Sequence, residues 1–179
     1  YRALLAHGVK PDLVCVVEAQ HANLGDIMGA PVAEQPVCAD ISSYPGLLRR
    51  CSTDKLFVFS SGFADTSLLA RLEQAGVRPT PVQPLGSVGV TAIDLARRIG
   101  SGRVLLFGLD FAFRHGKTHA RGTPHHEADL RARTLLAGSD PAPFTLSART
   151  LQTGDPRVPL TTSELRTYNQ VAADLCSGL

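Results

Sequence analysis

The 179-residue sequence has no tryptophan and one methionine, and its aromatic residues make up only 6% of the chain. Its longest apolar runs, such as Leu13–Val17 and Val104–Phe107, fall far short of the roughly 20 residues that a membrane-spanning helix needs. Charged residues form no block of one sign, and the formal net charge is +2. The composition therefore predicts neither a membrane span nor a nucleic-acid partner.

Cysteine is also sparse. Its four positions contain no Cys-x-x-Cys pair of the kind that zinc and redox sites use: Cys15, Cys38, Cys51 and Cys176. Cys15 lies in an apolar run, as a small buried side chain would. We therefore expect reduced thiols and a cytoplasmic protein. The chain begins at Tyr1 within a helix-like segment, so we also expect it to be a piece of a longer protein.

The letters GKT at 116–118 suggest a phosphate-binding P-loop, but the rest of that motif is absent. A P-loop has a glycine five positions before the Gly of GKT, and this sequence has Phe111 there. The GKT of a P-loop also begins a helix, whereas Gly122 and Pro124 follow here and break helices. The sequence therefore does not predict a P-loop.

Strand-like and helix-like segments alternate along the chain. The expected strands are Asp12–Val17, Val37–Asp40, Lys55–Ser61 and Arg103–Phe107. The expected helices are Tyr1–His7, Tyr44–Arg50, one that Gly76 ends, one from Ser87 to Gly100, His126–Leu136, and a capped one from Thr161 to Leu175. In the helix that follows Ser87, an apolar stripe is expected to face the core: Val88, Ala92, Leu95, Ala96 and Ile99. This alternation predicts one α/β domain with a mostly parallel sheet between layers of helices.

Ligands of open parallel sheets bind beyond the carboxyl ends of the strands. Three loops are expected at such ends: Glu18–Asn23, Ser60–Asp65 and Gly108–Gly122. Gly86 and Ser87 add a helix start, where free N–H groups and the helix dipole favour an anion. The alternative is that these two residues only form a tight turn and a helix cap.

The third loop carries the side chains with the most chemical capacity. Asp110 follows an apolar segment, where an acid binds a ribose hydroxyl, a metal or an amine, or else caps a turn. His119 lies between Lys117 and Arg121, so it is either a proton-transfer group in a positive rim or a solvated side chain. A polar cluster that follows fixes no third metal ligand by spacing, so we expect no dedicated metal site there: His125, His126, Glu127 and Asp129.

The stretch GSVGVTAIDLARRIGSGRVLLFGLDFAFRHGKTHARG, residues 86–122, resembles the core motif of a known family. That family holds the bacterial motility-associated-factor (Maf) flagellin glycosyltransferases and the MptE-like 6-hydroxymethylpterin diphosphokinases. The matching positions are Gly86, Ser87, Val88, Gly108, Asp110, Ala112 and residues 116–120. Upstream, HGVKPDLVCVVEA is similar to the family's Gly-Ile-Lys-Pro-Asp segment, with Glu18 where the family commonly has Asp. The family's preceding strand and glycine-rich loop would lie before Tyr1.

For the Maf branch, the resemblance implies a Rossmann-like fold similar to that of bacterial sialyltransferases. It implies transfer of a nonulosonic, sialic-acid-like sugar from a CMP donor to Ser or Thr hydroxyls of flagellin, with no required metal or cofactor. His119 would be the base and Asp110 a catalytic anchor for the ligand. The nucleotide and its phosphate would be held by Gly86, Ser87, Lys117, Thr118 and Glu18.

Two alternatives remain open. In the diphosphokinase branch, ATP donates pyrophosphate to a pterin alcohol, and Mg²⁺ would be held by Asp110 and Glu18. The chain offers few aromatic residues to stack on a pterin beyond Phe111 and Phe113, which disfavours this branch. The third alternative is a nucleotide-binding domain without catalysis.

Overall fold

The structure is a computed structural model that describes residues 1–62, 66–100, 102–113, 119–132 and 161–177. The chain divides into two compact units, residues 1–95 and residues 96–179. The expectation of a single domain stays a prediction. Within the described ranges, no helix combines the length and the apolar character needed to cross a bilayer.

Four short strands form the sheet of the first unit, and all of them run parallel. Their order in the sheet follows the chain: β1 (Val14–Val16), β2 (Val37–Asp40), β3 (Leu56–Ser60) and β4 (Thr80–Pro81). Parallel neighbours need crossover connections, which short helices and loops supply here. The result is the Rossmann-like α/β architecture that the sequence predicted. β4 was not predicted, because two residues that include a proline carry too little strand pattern.

Six α-helices lie in the described ranges: α1 (Arg2–Ala6), α2 (Pro45–Leu48), α3 (Thr66–Gln74), α4 (Val88–Arg98), α5 (Pro124–Ala132) and α6 (Ser163–Ser177). Three 3-10 helices lie between strands of the first unit: His21–Asp26, Val32–Glu34 and Thr53–Lys55. Gly76 and Gly100 have φ of 78° and 90° just beyond α3 and α4, so the predicted glycine stops are confirmed. The cap of α6 is shifted by one residue from the predicted one, because the Thr162 hydroxyl accepts the Leu165 N–H at 3.2 Å.

A buried apolar cluster of the first unit lies against one face of the sheet. In the register, Val14 pairs with Val37, and Val37 pairs with Leu56, so their side chains share a face. Val14, Val16 and Leu56 pack against a buried cluster on that face: Ile27, Val32, Val37, Ala39, Leu47 and Cys51. The loops and α2 therefore cover this side of the sheet.

The buried face of α4 differs from the predicted stripe. The side chains that are buried are Val90, Thr91 and Ile93, whereas Val88 is 45% exposed and Ile99 is 67% exposed. The helix has apolar residues on two faces. The periodicity of the sequence predicted that the face with Val88 and Ile99 is buried, but the other face is. Val88 and Ala92 instead line a groove that is described below.

The predicted strand Arg103–Phe107 is wrong for this structure. The segment lies in the second unit, forms no ladder and exposes Leu105 and Phe107 by 68% and 86%. An apolar β-type run predicts extended backbone, but a strand also needs a neighbour, and a local pattern cannot supply one. The apolar side chains of this segment are therefore largely exposed.

Candidate functional site

The carboxyl ends of the four strands meet at one edge of the sheet in the first unit. The segments that leave this edge begin at Val17, Ile41, Ser61 and Val82. In open parallel sheets this edge is where ligands bind, because loops and helix starts converge there with unpaired polar groups. Two of the predicted loops, which begin at Glu18 and Ser60, lie at this edge, although Phe63, Ala64 and Asp65 fall outside the described residues.

Asp40 is the polar centre of this edge, and its side chain has no exposed surface. One carboxylate oxygen accepts the Ser42 N–H at 2.8 Å and the Ser42 hydroxyl at 2.6 Å. The other accepts the Ser61 N–H at 2.6 Å and the Ser61 hydroxyl. One carboxylate therefore ties the loop after β2 to the loop after β3.

These hydrogen bonds determine the charge state of Asp40. Burial alone would raise the pKa of this carboxyl, but the four donors on Ser42 and Ser61 outweigh it and hold the pKa below its ordinary value. The group is therefore a buried carboxylate at neutral pH. Because every donor comes from within the edge, Asp40 fixes the loops and is not itself offered to a ligand.

Glu18 stands at the same edge, directly after β1, and its side chain is exposed. Its Oε1 accepts the Gln20 N–H at 3.2 Å, and its backbone carbonyl accepts the Tyr44 N–H at 3.0 Å. The Ser43 hydroxyl donates to the Val16 carbonyl at 3.2 Å. The loops after β1 and β2 are therefore bonded to each other, and the Glu18 carboxylate faces solvent from a fixed backbone.

The start of α4 lies beside β1, although the chain enters it from β4 at the opposite side of the sheet. An apolar groove of about 270 Å³ is lined by residues of α1, β1 and α4 with the segments next to them: Tyr1, Leu4, Pro11, Leu13, Val14, Cys15, Val88, Gly89 and Ala92. The segment from Val82 to Ser87 therefore connects β4 to a helix that begins on the β1 side of the sheet. It carries Gly86 and Ser87 toward the side of the sheet on which Glu18 lies.

Gly86 has φ of 75°, a backbone conformation that side chains disfavour, and it turns the chain into α4. The Ser87 carbonyl accepts the first bonds of the helix, from the Thr91 N–H at 2.9 Å and the Thr91 hydroxyl at 3.0 Å. The N–H groups of the first turn have no partner within an α-helix. The turn at Gly86 and the helix start after Ser87 are confirmed, Ser87 is half-buried there, and anion binding at this helix start stays a prediction.

The other predicted residues lie in the second unit or outside the described ranges. Asp110 is exposed and precedes Phe111, whose φ of 48° is rare for a bulky residue and whose carbonyl accepts the Thr161 hydroxyl at 2.8 Å. His119 is exposed and stacks on His125, with ring centroids 4.5 Å apart and planes 20° from parallel. Lys117 and Thr118 lie outside the described residues.

Three of the four cysteines have thiols that burial makes unreactive. Burial, followed by the nearby Cys38 and Asp40, raises the pKa of the Cys15 thiol to about 12. Burial also raises the pKa values of the Cys38 and Cys51 thiols, so these groups are poor nucleophiles near neutral pH. Within the described part of the chain, His, Cys, Asp and Glu side chains nowhere form a group of three that fits a metal ion.

Sequence reasoning missed Asp40 and Tyr44. Asp40 ends an otherwise apolar strand and is followed by two serines, which is the pattern of a carboxylate that bonds local N–H groups. That signal identifies the turn, but Ser61 is 21 residues away and only the sheet register brings it to Asp40. Tyr44 carried no comparable signal in the sequence.

The sequence pattern of the MptE-like family, described as 6-hydroxymethylpterin diphosphokinase MptE-like, matches residues 1–116. The chain belongs to the MptE-like family. The matched region contains the whole sheet, Glu18, the start of α4 and Asp110, whereas Lys117, Thr118 and His119 lie just beyond it. Membership supports the MptE-like side of the predicted resemblance and does not select the Maf branch.

Two relatives of this MptE-like chain come from Treponema pallidum (strain Nichols), and both are described as uncharacterized proteins. One is 32% identical over 117 residues, which are 64% of this chain and 20% of the relative. The other is 28% identical over 130 residues, 66% of this chain and 33% of the relative. The chain thus spans between a fifth and a third of these relatives. No solved structure matches the chain, so likeness to bacterial sialyltransferases stays a prediction.

We predict that Asp40→Asn lowers the free energy of unfolding by about 3 kcal/mol at pH 7, because an amide replaces a buried, fully hydrogen-bonded carboxylate. The lowered pKa means that the contribution of the carboxylate is complete above about pH 4 and is lost as the pH falls through the folded-state value. Urea unfolding at pH 7 and pH 3 measures this, with the exposed Asp12→Asn as control. An equal difference between wild type and Asp40→Asn at both pH values would contradict the assignment.

Proposed function

We propose that this MptE-like chain binds a nucleotide at the carboxyl edge of its sheet and acts as a Maf-like glycosyltransferase domain. The donor is a CMP-linked nonulosonic sugar, and the acceptor is a Ser or Thr hydroxyl of flagellin. The observation that carries the proposal is the start of α4, which lies beside β1, the strand that precedes Glu18, and which the chain enters through the turn at Gly86.

This arrangement suits a nucleoside monophosphate. One helix start supplies N–H groups and a positive dipole end for one phosphate, and the Ser87 hydroxyl adds a further donor. The Glu18 carboxylate repels phosphate and accepts hydrogen bonds from hydroxyl or amino groups, so it suits the nucleoside portion. The helix start therefore suits the phosphate of CMP, and Glu18 suits its nucleoside.

The transfer needs a base and a stabilised leaving group. In the proposed step, the acceptor oxygen bonds to the anomeric carbon while the bond from that carbon to the phosphate oxygen breaks. The acceptor proton passes to His119, and the electron pair leaves with the phosphate of CMP. The Maf resemblance assigns Lys117 and Thr118 to the phosphate and Asp110 to anchoring the ligand. This chemistry needs no metal.

The relatives support a role within a larger protein. Both are several times longer than the region they share with this chain, so the MptE-like region occurs in them beside other sequence. A transferase that modifies a protein acceptor needs surface for that acceptor in addition to its donor site. Flagellin as the acceptor rests on the Maf resemblance of residues 86–122.

A second candidate function is favoured by the description of the family itself. In a 6-hydroxymethylpterin diphosphokinase, the alcohol oxygen of the pterin bonds to the β-phosphorus of ATP, and AMP leaves. By the resemblance, Asp110 and Glu18 would hold Mg²⁺, which would neutralise phosphate charge. A nucleotide-binding domain without catalysis is the remaining reading.

We predict that CMP without metal raises the midpoint of thermal unfolding. A ligand at about one hundred times its dissociation constant adds roughly 2.7 kcal/mol, which corresponds to about 5–10 °C for a chain of this size. The measurement compares CMP, CTP and ATP, each with and without Mg²⁺, and uses Ser87→Ala to weaken the phosphate contact. Stabilisation only by ATP with Mg²⁺ would contradict sugar transfer and favour the diphosphokinase.

We predict that His119→Ala lowers the rate of transfer from a CMP-linked nonulosonic acid by about 10²–10⁴-fold, because the acceptor loses its base. His119→Phe keeps a ring that can stack on His125 but cannot accept a proton, so the two variants should lose the same amount of activity. The exposed His7→Ala serves as control. If His119→Phe retained wild-type turnover, the histidine would act by packing and not as a base.

A further inference from the structure

An aromatic pair stands next to Glu18 at the carboxyl edge. His21 and Tyr44 meet edge to face, with ring centroids 5.3 Å apart and planes at 84°. Such a T-shaped pair uses one face of one ring and an edge of the other, which leaves three of the four ring faces unused by the pair. His21 is exposed and Tyr44 is half-buried. We call Glu18, His21 and Tyr44 the ring ledge.

The ring ledge is held in place by hydrogen bonds of its backbone and by packing of Tyr44 against the core. The Tyr44 N–H donates to the Glu18 carbonyl at 3.0 Å, and the Tyr44 side chain packs against the buried core cluster. The Arg2 guanidinium donates to the Gly25 carbonyl at 3.2 Å and so fixes the 3-10 helix that begins at His21. The three side chains therefore stand on an ordered backbone.

Gly46 shows how tightly the Tyr44 ring is placed. A Cβ added at Gly46 would overlap the Tyr44 ring, so only glycine leaves the ring where it lies. The backbone of Gly46 has an ordinary φ, so space and not conformation requires glycine here. A substitution at this position moves the ring while leaving the Tyr44 side chain intact.

From this geometry we infer that the ring ledge binds a planar nitrogen heterocycle that carries an amino group. Aromatic side chains at a ligand-binding edge stack on the faces of flat rings. A carboxylate beside such rings accepts hydrogen bonds from N–H groups of the ligand. Among the described contacts, Glu18 Oε1 accepts a hydrogen bond only from the Gln20 N–H. A ring with an exocyclic amine satisfies both features, whereas a phosphate at Glu18 would be repelled.

This inference deepens the proposed function and rests on it, since it assigns the nucleoside end of the ligand to the ring ledge. Two rings share the required chemistry: the cytosine of a CMP donor and the pterin of a diphosphokinase substrate. Each has a counterpart in which an oxygen replaces the amino group. These are uridine for cytidine and lumazine for pterin.

The test measures dissociation constants of cytidine, uridine, pterin and lumazine for this chain by calorimetry. The absence of tryptophan also leaves pterin fluorescence free of overlap with protein emission. We expect cytidine or pterin to bind at least about tenfold more tightly than its oxo counterpart, because Glu18 accepts the amino hydrogen. Equal binding within both pairs, or no binding of any of the four, would overturn the inference.

Variants separate the contributions of the ring and the carboxylate. Tyr44→Leu should weaken the preferred ring about tenfold, and Tyr44→Phe should retain its binding. Glu18→Gln should reduce the preference for the amino compound. Gly46→Ala should weaken binding while the thermal midpoint and the circular dichroism spectrum stay close to wild type. Wild-type binding by both Tyr44→Leu and Gly46→Ala would overturn the role of the ring.

Matched controls change residues outside the ring ledge. Tyr168→Leu on α6 and the exposed Glu34→Gln change the same residue types and should bind as wild type. The outcome is separable from that of the proposed function. If CMP stabilises the protein but neither pair is discriminated, the ring ledge is wrong and nucleotide binding stands. If an amino ring binds but no transfer occurs, the transferase is wrong and the ring ledge stands.

Discussion

The buried carboxylate of Asp40 is the interaction on which the geometry of the candidate site depends. It joins Ser42 after β2 to Ser61 after β3, two loops that a parallel sheet brings to the same edge but does not bond to each other. A charge in such a place is stable only when its donors are complete, and here four of them hold it. Next to this carboxylate, the Ser43 hydroxyl donates to the Val16 carbonyl at the end of β1, and the Tyr44 N–H donates to the Glu18 carbonyl. The edge is therefore preorganised before any ligand arrives.

The two proposed ligand contacts of the first unit differ in charge. The start of α4 presents N–H groups and the positive end of the helix dipole, whereas Glu18 at the carboxyl edge presents a carboxylate next to aromatic side chains. A ligand that carries a phosphate at one end and a flat, amino-bearing ring at the other matches this difference. Membership in the MptE-like family is consistent with a ligand of this kind, since the family is named for an enzyme that acts on a pterin. The same edge thus serves the transferase and the diphosphokinase proposals, and only the transferase proposal gives His119 a role, as its base.

Local sequence patterns predicted most of the elements of the first unit. Val37–Asp40 forms the predicted strand, and the helix between Ser87 and Gly100 forms as expected, because capping and stop signals act over a few residues. Apart from β4, which is too short to carry a strand pattern, the failures involve partners distant in sequence. Arg103–Phe107 has the composition of a strand but pairs with no neighbouring strand. α4 buries Val90 and Ile93 instead of the predicted stripe. The hydrogen bonds of Asp40 need Ser61, which is 21 residues away in the sequence. Glu18, Gly86 and Ser87 were predicted as site residues from position and motif, and their role stays a prediction. Tyr44 was not, because only the packing of its ring over Gly46 and beside His21 reveals it.

The most direct test of the central claim, that the carboxyl edge of the first unit is the ligand site, is to map amide chemical-shift changes by NMR as CMP is added to the ¹⁵N-labelled chain. The account predicts saturable changes that are largest at the amides of Glu18 to His21, at Tyr44, and at Gly86 to Gly89, with little change along α6. It also predicts that these changes occur without Mg²⁺. Saturable changes confined to α5 or α6, with the amides after β1 and β2 unmoved, would contradict the account.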